Sequence, residues 1–150
     1  MTEKKLTNNT QTISAKAISK DFPLPNGGGN FRVLNEIDLE VREKEIVALL
    51  GRSGSGKTTL LRIMAGLINP SEGKVINQGE KLKGRNPDVA MVFQNFVLLP
   101  WETVQQNVEL GLIARGVPEE KRRELALKAI DLVGLDGFEN AYPKELSGGM

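Results

Sequence analysis

Residues 46–66, IVALLGRSGSGKTTLLRIMAG, constrain the fold more than any other stretch of the chain. A short apolar run at 46–50 is followed by Gly51, Arg52, Ser53, Gly54, Ser55, Gly56, Lys57 and Thr58. Apolar residues then recur at helical spacing at Leu60, Leu61, Met64 and Leu67, with Ile63 widening the stripe. The octet fits G-x-x-x-x-G-K-[ST] without a mismatch, in the strand–loop–helix setting that the pattern requires. Glycine suits a backbone that must curl tightly and let a ligand come close, because a Cβ obstructs both. Successive N–H groups in such a loop, with the unpaired ones at the following helix start, make a concavity that favours an anion. Lys57 is placed to reach β- and γ-phosphates, the Thr58 hydroxyl to ligate Mg²⁺, and Thr59 to donate to an α-phosphate. A Gly/Ser-rich surface loop matching by accident would lack both flanks. The stretch predicts a P-loop that binds nucleotide phosphate.

The rest of the composition narrows the chemistry. A chain of 150 residues is long enough for one domain with a core, and 39% apolar with 26% charged residues is a globular balance. The formal charge of +1 makes no case for nucleic acid as a partner. Cysteine and histidine are both absent, which excludes disulfides, thiol chemistry, and any His-based acid/base or metal site built from this chain. No apolar run approaches the ~20 residues of a membrane span, and the polar N-terminus lacks the apolar region of a secretory signal. Residues 1–11 are expected to be a disordered tail, and the chain is expected on the cytosolic side, where nucleotide is available.

Along the chain, residues 12–22 have strand character, with Ile13, Ala15 and Ala17 alternating until the pattern breaks at Ile18. PLPNGGGN is a flexible hairpin-like connection, and residues 31–41 follow with Ile37, Leu39 and Val41 on one face. Two half-buried strands ahead of a P-loop strand predict an antiparallel β layer beside a parallel α/β core. Residues 74–77 read as a short strand before the turn at Asn77, Gln78 and Gly79, and the apolar run 89–93 has the size of a fully buried strand. Thr103 with Gln106 is a capping-box pattern that opens a helix toward Leu112. Pro118, Glu119 and Glu120 start another helix, with Leu125, Ala129, Leu132 and Val133 as its apolar stripe and Gly134 as its stop.

Two further segments carry signals that are ordinary when taken singly. Gln94 ends the 89–93 run and is followed by Asn95, Phe96 and VLLPW, a Pro-broken apolar stretch that alone reads as core. Ser147, Gly148 and Gly149, after Leu146, alone read as a polar turn. Their order behind Lys57 is more specific. A P-loop lysine at 57, a strand-ending glutamine at 94 and LSGG at 146–149 resemble the ATP-binding subunits of ABC transporters over residues 14–150. Met150 departs from the pattern, since glutamine is the commonest residue after LSGG, and is read as the marker of a subgroup. Lys44 stands where the family usually has glycine, in a turn that favours a positive φ; it costs about 1 kcal/mol if that conformation is kept.

The resemblance implies a fold: an α/β P-loop NTPase (RecA-like) core with an antiparallel β layer across 12–100, and the start of an α-helical subdomain across 101–150. It implies ATP and Mg²⁺ as cofactors, with Gly51, Ser53, Gly54, Ser55, Gly56, Lys57, Thr58 and Thr59 forming the Walker A loop. Gln94 would contact Mg²⁺ and the attacking water, so that Lys57 and Gln94 are the candidate catalytic residues and Thr58 and Gln94 the candidate metal contacts. Ser147, Gly148 and Gly149 would face the γ-phosphate held by a second nucleotide-binding subunit in a head-to-tail dimer. Phe22 stands where the family stacks an aromatic on adenine; the alternative is a core phenylalanine. The segment 96–101 would receive a membrane permease, with an extracytoplasmic solute-binding protein in the same system and the subunit lying peripherally on the cytoplasmic face. The wording LLPW-x-TV-x-x-NV and YP-x-x-LSGGM resembles importers of nitrate, sulfonate, taurine or bicarbonate type.

The same resemblance implies a Walker B strand after LSGG, four apolar residues and then Asp-Glu, which this sequence does not contain. Asp38, Asp88 and Asp131 do not substitute, since none follows four apolar residues or precedes Glu. The C-terminal part of the domain is therefore expected to be missing, and the 150-residue chain alone to be marginally folded, binding ATP with negligible turnover. Two other readings stand beside the importer. One is a soluble ABC protein acting on nucleic acid or ribosomes, which the neutral charge disfavours. The other is a nucleotide-binding fragment without catalysis. A small-molecule P-loop kinase leaves LSGG unexplained.

Overall fold

A computed structural model describes residues 11–93 and 97–150. These fall into two compact units, one ending at Met91 and the other running from Val92 to Met150.

The first unit is built on an antiparallel sheet in the order β2-β1-β3-β4, with β1 at Gln11–Pro23, β2 at Asn30–Arg42, β3 at Glu72–Asn77 and β4 at Glu80–Lys81. Helix α1, Lys57–Met64, lays Leu60, Ile63 and Met64 on Ile13, Ala15, Ile18, Leu34 and Val75, and these eight side chains are the core. Leu61 and Leu67 share the helical spacing of the sequence but are exposed, because α1 is only two turns long and turns one face to the sheet.

The break in alternation at Ile18 is a β-bulge. Ala15 pairs with Leu39 and Ile18 with Ile37, so β1 spends one extra residue there; Ala17 takes φ 48° and points outward, and Ile18 replaces it in the core. Ala17, expected on the inner face, is thus corrected to the outer one. A second bulge on β2 puts Glu36 at φ 50°. Each bulge frees a backbone N–H from the ladder, and each is taken by a side chain of the opposite strand. Ala17 N–H donates to Asp38 Oδ1 at 2.8 Å, and Glu36 N–H to Oγ of the fully buried Ser19 at 3.0 Å. The β3–β4 turn has φ 49° at Gln78 and 86° at Gly79, as a two-residue type I′ hairpin needs. Lys44 keeps the positive φ expected of its turn, at 63°.

The runs 46–50 and 89–93 are not strands here, contrary to expectation. A strand requires a neighbour to accept and donate its ladder hydrogen bonds, and among the described residues none pairs with either run. Ile46, Leu50 and Val92 are left 97%, 93% and 97% exposed.

In the second unit, α2 spans Val104–Ala114 and α3 spans Glu119–Leu132. The capping box is made as the sequence predicts. Gln106 N–H donates to Thr103 Oγ1 at 3.3 Å, and Thr103 N–H to Gln106 Oε1 at 2.8 Å. Helix α3 ends in a Schellman motif, with Gly134 at φ 73° donating to Asp131 O and Leu135 N–H to Ile130 O. Its inner stripe, however, is Ala126 and Ile130; Leu125, Ala129, Leu132 and Val133 are exposed. One turn before Ala126, the same face carries Arg122, whose Nε lies 3.5 Å from Glu109 on α2. A half-buried ion pair therefore holds the position where an apolar stripe would have placed a leucine.

Candidate phosphate-binding site

The loop 51–56 turns on Ser55, whose N–H donates to Arg52 O at 3.2 Å, and enters α1 through Gly56 at φ 89°. A Cβ would meet close neighbours at two glycines of the motif. A Cβ on Gly56 would stand 2.6 Å from Leu34 Cδ2 and 3.2 Å from the Val33 carbonyl oxygen, and one on Gly51 would stand 2.8 Å from Ser55 Oγ. Gly56 is pressed onto Leu34 and Val33 of β2 at a positive φ, so a Cβ there brings both clash and strain, whereas at Gly51 the exposed Ser55 hydroxyl can turn aside.

Lys57, the first residue of α1, folds back over the loop. Its Nζ donates to Gly51 O at 2.9 Å, Arg52 O at 2.8 Å and Ser55 Oγ at 3.4 Å. The ammonium thus sits across the loop mouth, anchored at the two carbonyls where the loop begins. The N–H groups of Gly54, Gly56, Lys57 and Thr58 have no acceptor among the described residues. Free N–H donors, a helix N-terminus and a cation anchored over the same short loop make an arrangement that can hold a chain of phosphates. The donor set fits the nucleotide that the sequence predicts. Ser53 and Thr58 are exposed and Thr59 is half-buried on the same turn. Among the described residues no cluster of three Asp, Glu, His or Cys side chains exists. Asp38 and Asp88 are already engaged, Asp38 with Ala17 N–H and Asp88 with the Asn77 and Gln78 amides at 2.7 and 3.0 Å.

Phe22 lies at the hairpin end of β1, opposite Phe31 in the register, and is exposed rather than part of the core. The Lys20 ammonium stands 5.1 Å from its ring centroid. Beside it, the Arg32 guanidinium bonds Asp21 at 2.8 Å and Glu72 at 3.1 Å. The Arg32 hydrogen bond holds the Asp21 carboxyl below its ordinary 3.8. Ser147, Gly148 and Gly149 are exposed in a turn closed by Met150 N–H on Ser147 O at 3.0 Å. Gln94, and Phe96 at the start of the expected docking segment, lie outside the described residues. Sequence reasoning did not find Leu34 as the floor under Gly56, nor Arg52 O as an anchor for Lys57. No sequence pattern marks a backbone carbonyl or a core side chain as part of a site.

The loop and the sheet on which it rests define an α/β P-loop nucleotide-binding fold. The sequence profile described as ABC transporter matches residues 34–150, and the chain belongs to that family. It is 52% identical over 123 residues to an uncharacterized ABC transporter ATP-binding protein of Methanocaldococcus jannaschii, covering 82% of this chain and 46% of that one. It is 45% identical over 122 residues to a nitrate import ATP-binding protein of Synechocystis, covering 81% and 46%. It is 41% identical over 140 residues to a bicarbonate transport ATP-binding protein of Synechococcus elongatus, covering 92% and 21%. Among solved structures, it superposes with TM-score 0.80 and 33% identity on a dimeric ATP-binding cassette in a post-hydrolysis state bound to ADP and Pi, covering 92% of this chain and 64% of that one. The chain spans about half the length, or less, of these curated relatives. No helix among the described residues is long and apolar enough to cross a membrane.

Proposed function

We propose that this chain is the ATP-gripping part of a subunit that energises import of a small anion such as nitrate, bicarbonate or a sulfonate (taurine included) through a membrane permease. The observation that carries the reading is Lys57 held across a loop with four free N–H donors, in a chain 41–45% identical to nitrate and bicarbonate import proteins. In this reading the N–H groups of Gly54, Gly56, Lys57 and Thr58 clasp the β-phosphate, Lys57 exchanges its carbonyl partners for β- and γ-oxygens, and Thr59 donates to the α-phosphate. Thr58 and Gln94 would hold Mg²⁺, which when bound would supply charge neutralisation to the phosphate oxygens. Phe22 stacks on the base. Ser147, Gly148 and Gly149 cover the γ-phosphate of a second subunit, so ATP closes a head-to-tail dimer and hydrolysis reopens it.

Residues 97–101 form the edge that meets the permease at the cytoplasmic face of the membrane, with a solute-binding protein delivering cargo from the other side. Val97, Leu98 and Trp101 are exposed there, and an exposed apolar group of this size suits a protein contact. The test is ATP-driven uptake of labelled nitrate, bicarbonate and taurine into vesicles carrying the complete transporter. The expected result is saturable uptake of one of these anions, lost in Lys57→Ala. Uptake of none of them, or uptake undiminished in Lys57→Ala, overturns the reading.

A further inference from the structure

The proposed docking edge begins as a turn that one side chain holds at its feet. Residues 99–102 close a β-turn by Glu102 N–H on Leu99 O at 3.1 Å, with Pro100 at the position where its fixed φ is preferred and Trp101 next to it. Trp101, the chain's single tryptophan, is 68% exposed at this tip. Beneath the turn lies the half-buried carboxamide of Asn107, in the first turn of α2. Its Oδ1 accepts Leu99 N–H at 2.7 Å, and its Nδ2 faces Leu99 O at 3.1 Å, Glu102 O at 3.0 Å and Thr103 O at 3.0 Å. Both ends of the turn and the cap of α2 therefore converge on one amide. The Asn107 backbone N–H also donates to Thr103 O at 2.9 Å, which fixes the amide's own base.

Asparagine is a poor residue inside a helix because its side chain competes for backbone groups. Here that competition is put to use, since the groups it captures belong to the preceding loop. A turn locked in this way loses little further freedom when a partner docks on Pro100 and Trp101. We propose that Asn107 is the positioning residue of the docking edge: it holds the 99–102 turn so that Trp101 meets an apolar segment of the permease already in place. Asn107 itself needs no contact with the partner. The inference rests on the reading that residues 97–101 face the permease.

Trp101 reports on its own mounting. In the full chain, the fluorescence anisotropy decay of Trp101 is expected to follow the tumbling of its unit. In Asn107→Leu, which keeps the branching at Cγ and removes every amide contact, a local nanosecond component is expected that lowers the steady-state anisotropy about twofold. Asn107→Asp keeps the acceptor for Leu99 N–H and loses the donors, so it should fall between the two. Pro100→Gly loosens the same turn without touching α2, which separates loop mobility from any loss of helix should the Leu variant fold poorly. An unchanged decay in Asn107→Leu overturns the proposal.

A second measurement, on the complete transporter, is the ratio of solute-stimulated to basal ATP turnover, with Trp101→Ala as the reference for the docking edge. If Asn107→Leu lowers the ratio at least fivefold while the Kd for ATP shifts less than twofold, the proposal stands. If Trp101→Ala lowers the ratio and Asn107→Leu does not, Asn107 is structural only and the docking reading survives. If neither substitution changes the ratio, the docking reading fails and takes the proposal with it.

Discussion

Gly56→Ala puts the coupling between the P-loop and the core to a direct test. Gly56 has φ 89°, a conformation that costs an alanine about 1–2 kcal/mol. The added Cβ would also stand 2.6 Å from Leu34 Cδ2, and Leu34 is buried under α1, where it cannot swing into solvent. Forcing it aside is an overpacking of about 1–3 kcal/mol. The two together predict a loss of about 2–5 kcal/mol, a large share of the ~5–15 kcal/mol that holds a typical domain. In urea, with a slope of about 1–3 kcal/mol/M, the midpoint should fall by roughly 1–2 M. Leu34→Val removes the δ-carbons that the new methyl would strike but leaves the φ penalty untouched. The double variant should therefore be more stable than the sum of the single losses, by about 1 kcal/mol of coupling. A Gly56→Ala midpoint equal to wild type would refute the clash and the strain together. Strict additivity with Leu34→Val would refute the clash alone.

Two further substitutions probe the sheet that carries the loop. Ser19→Ala removes the acceptor of Glu36 N–H at the β2 bulge in a fully buried place, and should cost about 1–3 kcal/mol in denaturant unfolding. Retention of full stability would mean that the bulge N–H finds another partner. The Asp21 carboxyl, held below its ordinary 3.8 by Arg32, contributes stability that is fully present above that value and is lost as pH falls through its lower folded-state value. Asp21→Asn should then shrink the difference in melting temperature between neutral and strongly acid pH. An unchanged acid slope in the variant would contradict the assignment.

The parts of the fold legible in the sequence are those settled by local chemistry. The P-loop octet, the Thr103–Gln106 capping box, the Gly134 stop and the positive φ at Lys44 each depend on a few neighbouring residues, and each is found where the sequence puts it. The parts not legible depend on distant partners. Ala17 alternates as an inward residue should, yet the bulge that turns it outward exists because Asp38, across the hairpin, accepts its N–H. Leu125 and Leu132 sit at helical spacing on α3, but the face that is buried carries Ala126 and Ile130, with Arg122 beside Glu109 of α2 one turn earlier. The runs 46–50 and 89–93 have strand composition and lack ladder partners among the described residues. At the site, residue types announced the loop but gave no sign that Lys57 rests on the Gly51 and Arg52 carbonyls or that Asn107 gathers the 99–102 turn. Such roles arise from backbone groups, which every residue shares.

The central claim is that the 51–58 loop grips a chain of phosphates through Lys57 and free backbone N–H groups. Equilibrium binding of ATP, ADP and AMP, each with Mg²⁺, to the chain and to Lys57→Ala tests it most directly. Affinity should rise with phosphate number in the wild type. Lys57→Ala should weaken ATP by about 10- to 150-fold, the equivalent of about 1.5–3 kcal/mol for a hydrogen bond to a charged group, while AMP changes little. Equal affinity for ATP and AMP, or ATP affinity unaltered in Lys57→Ala, would contradict it.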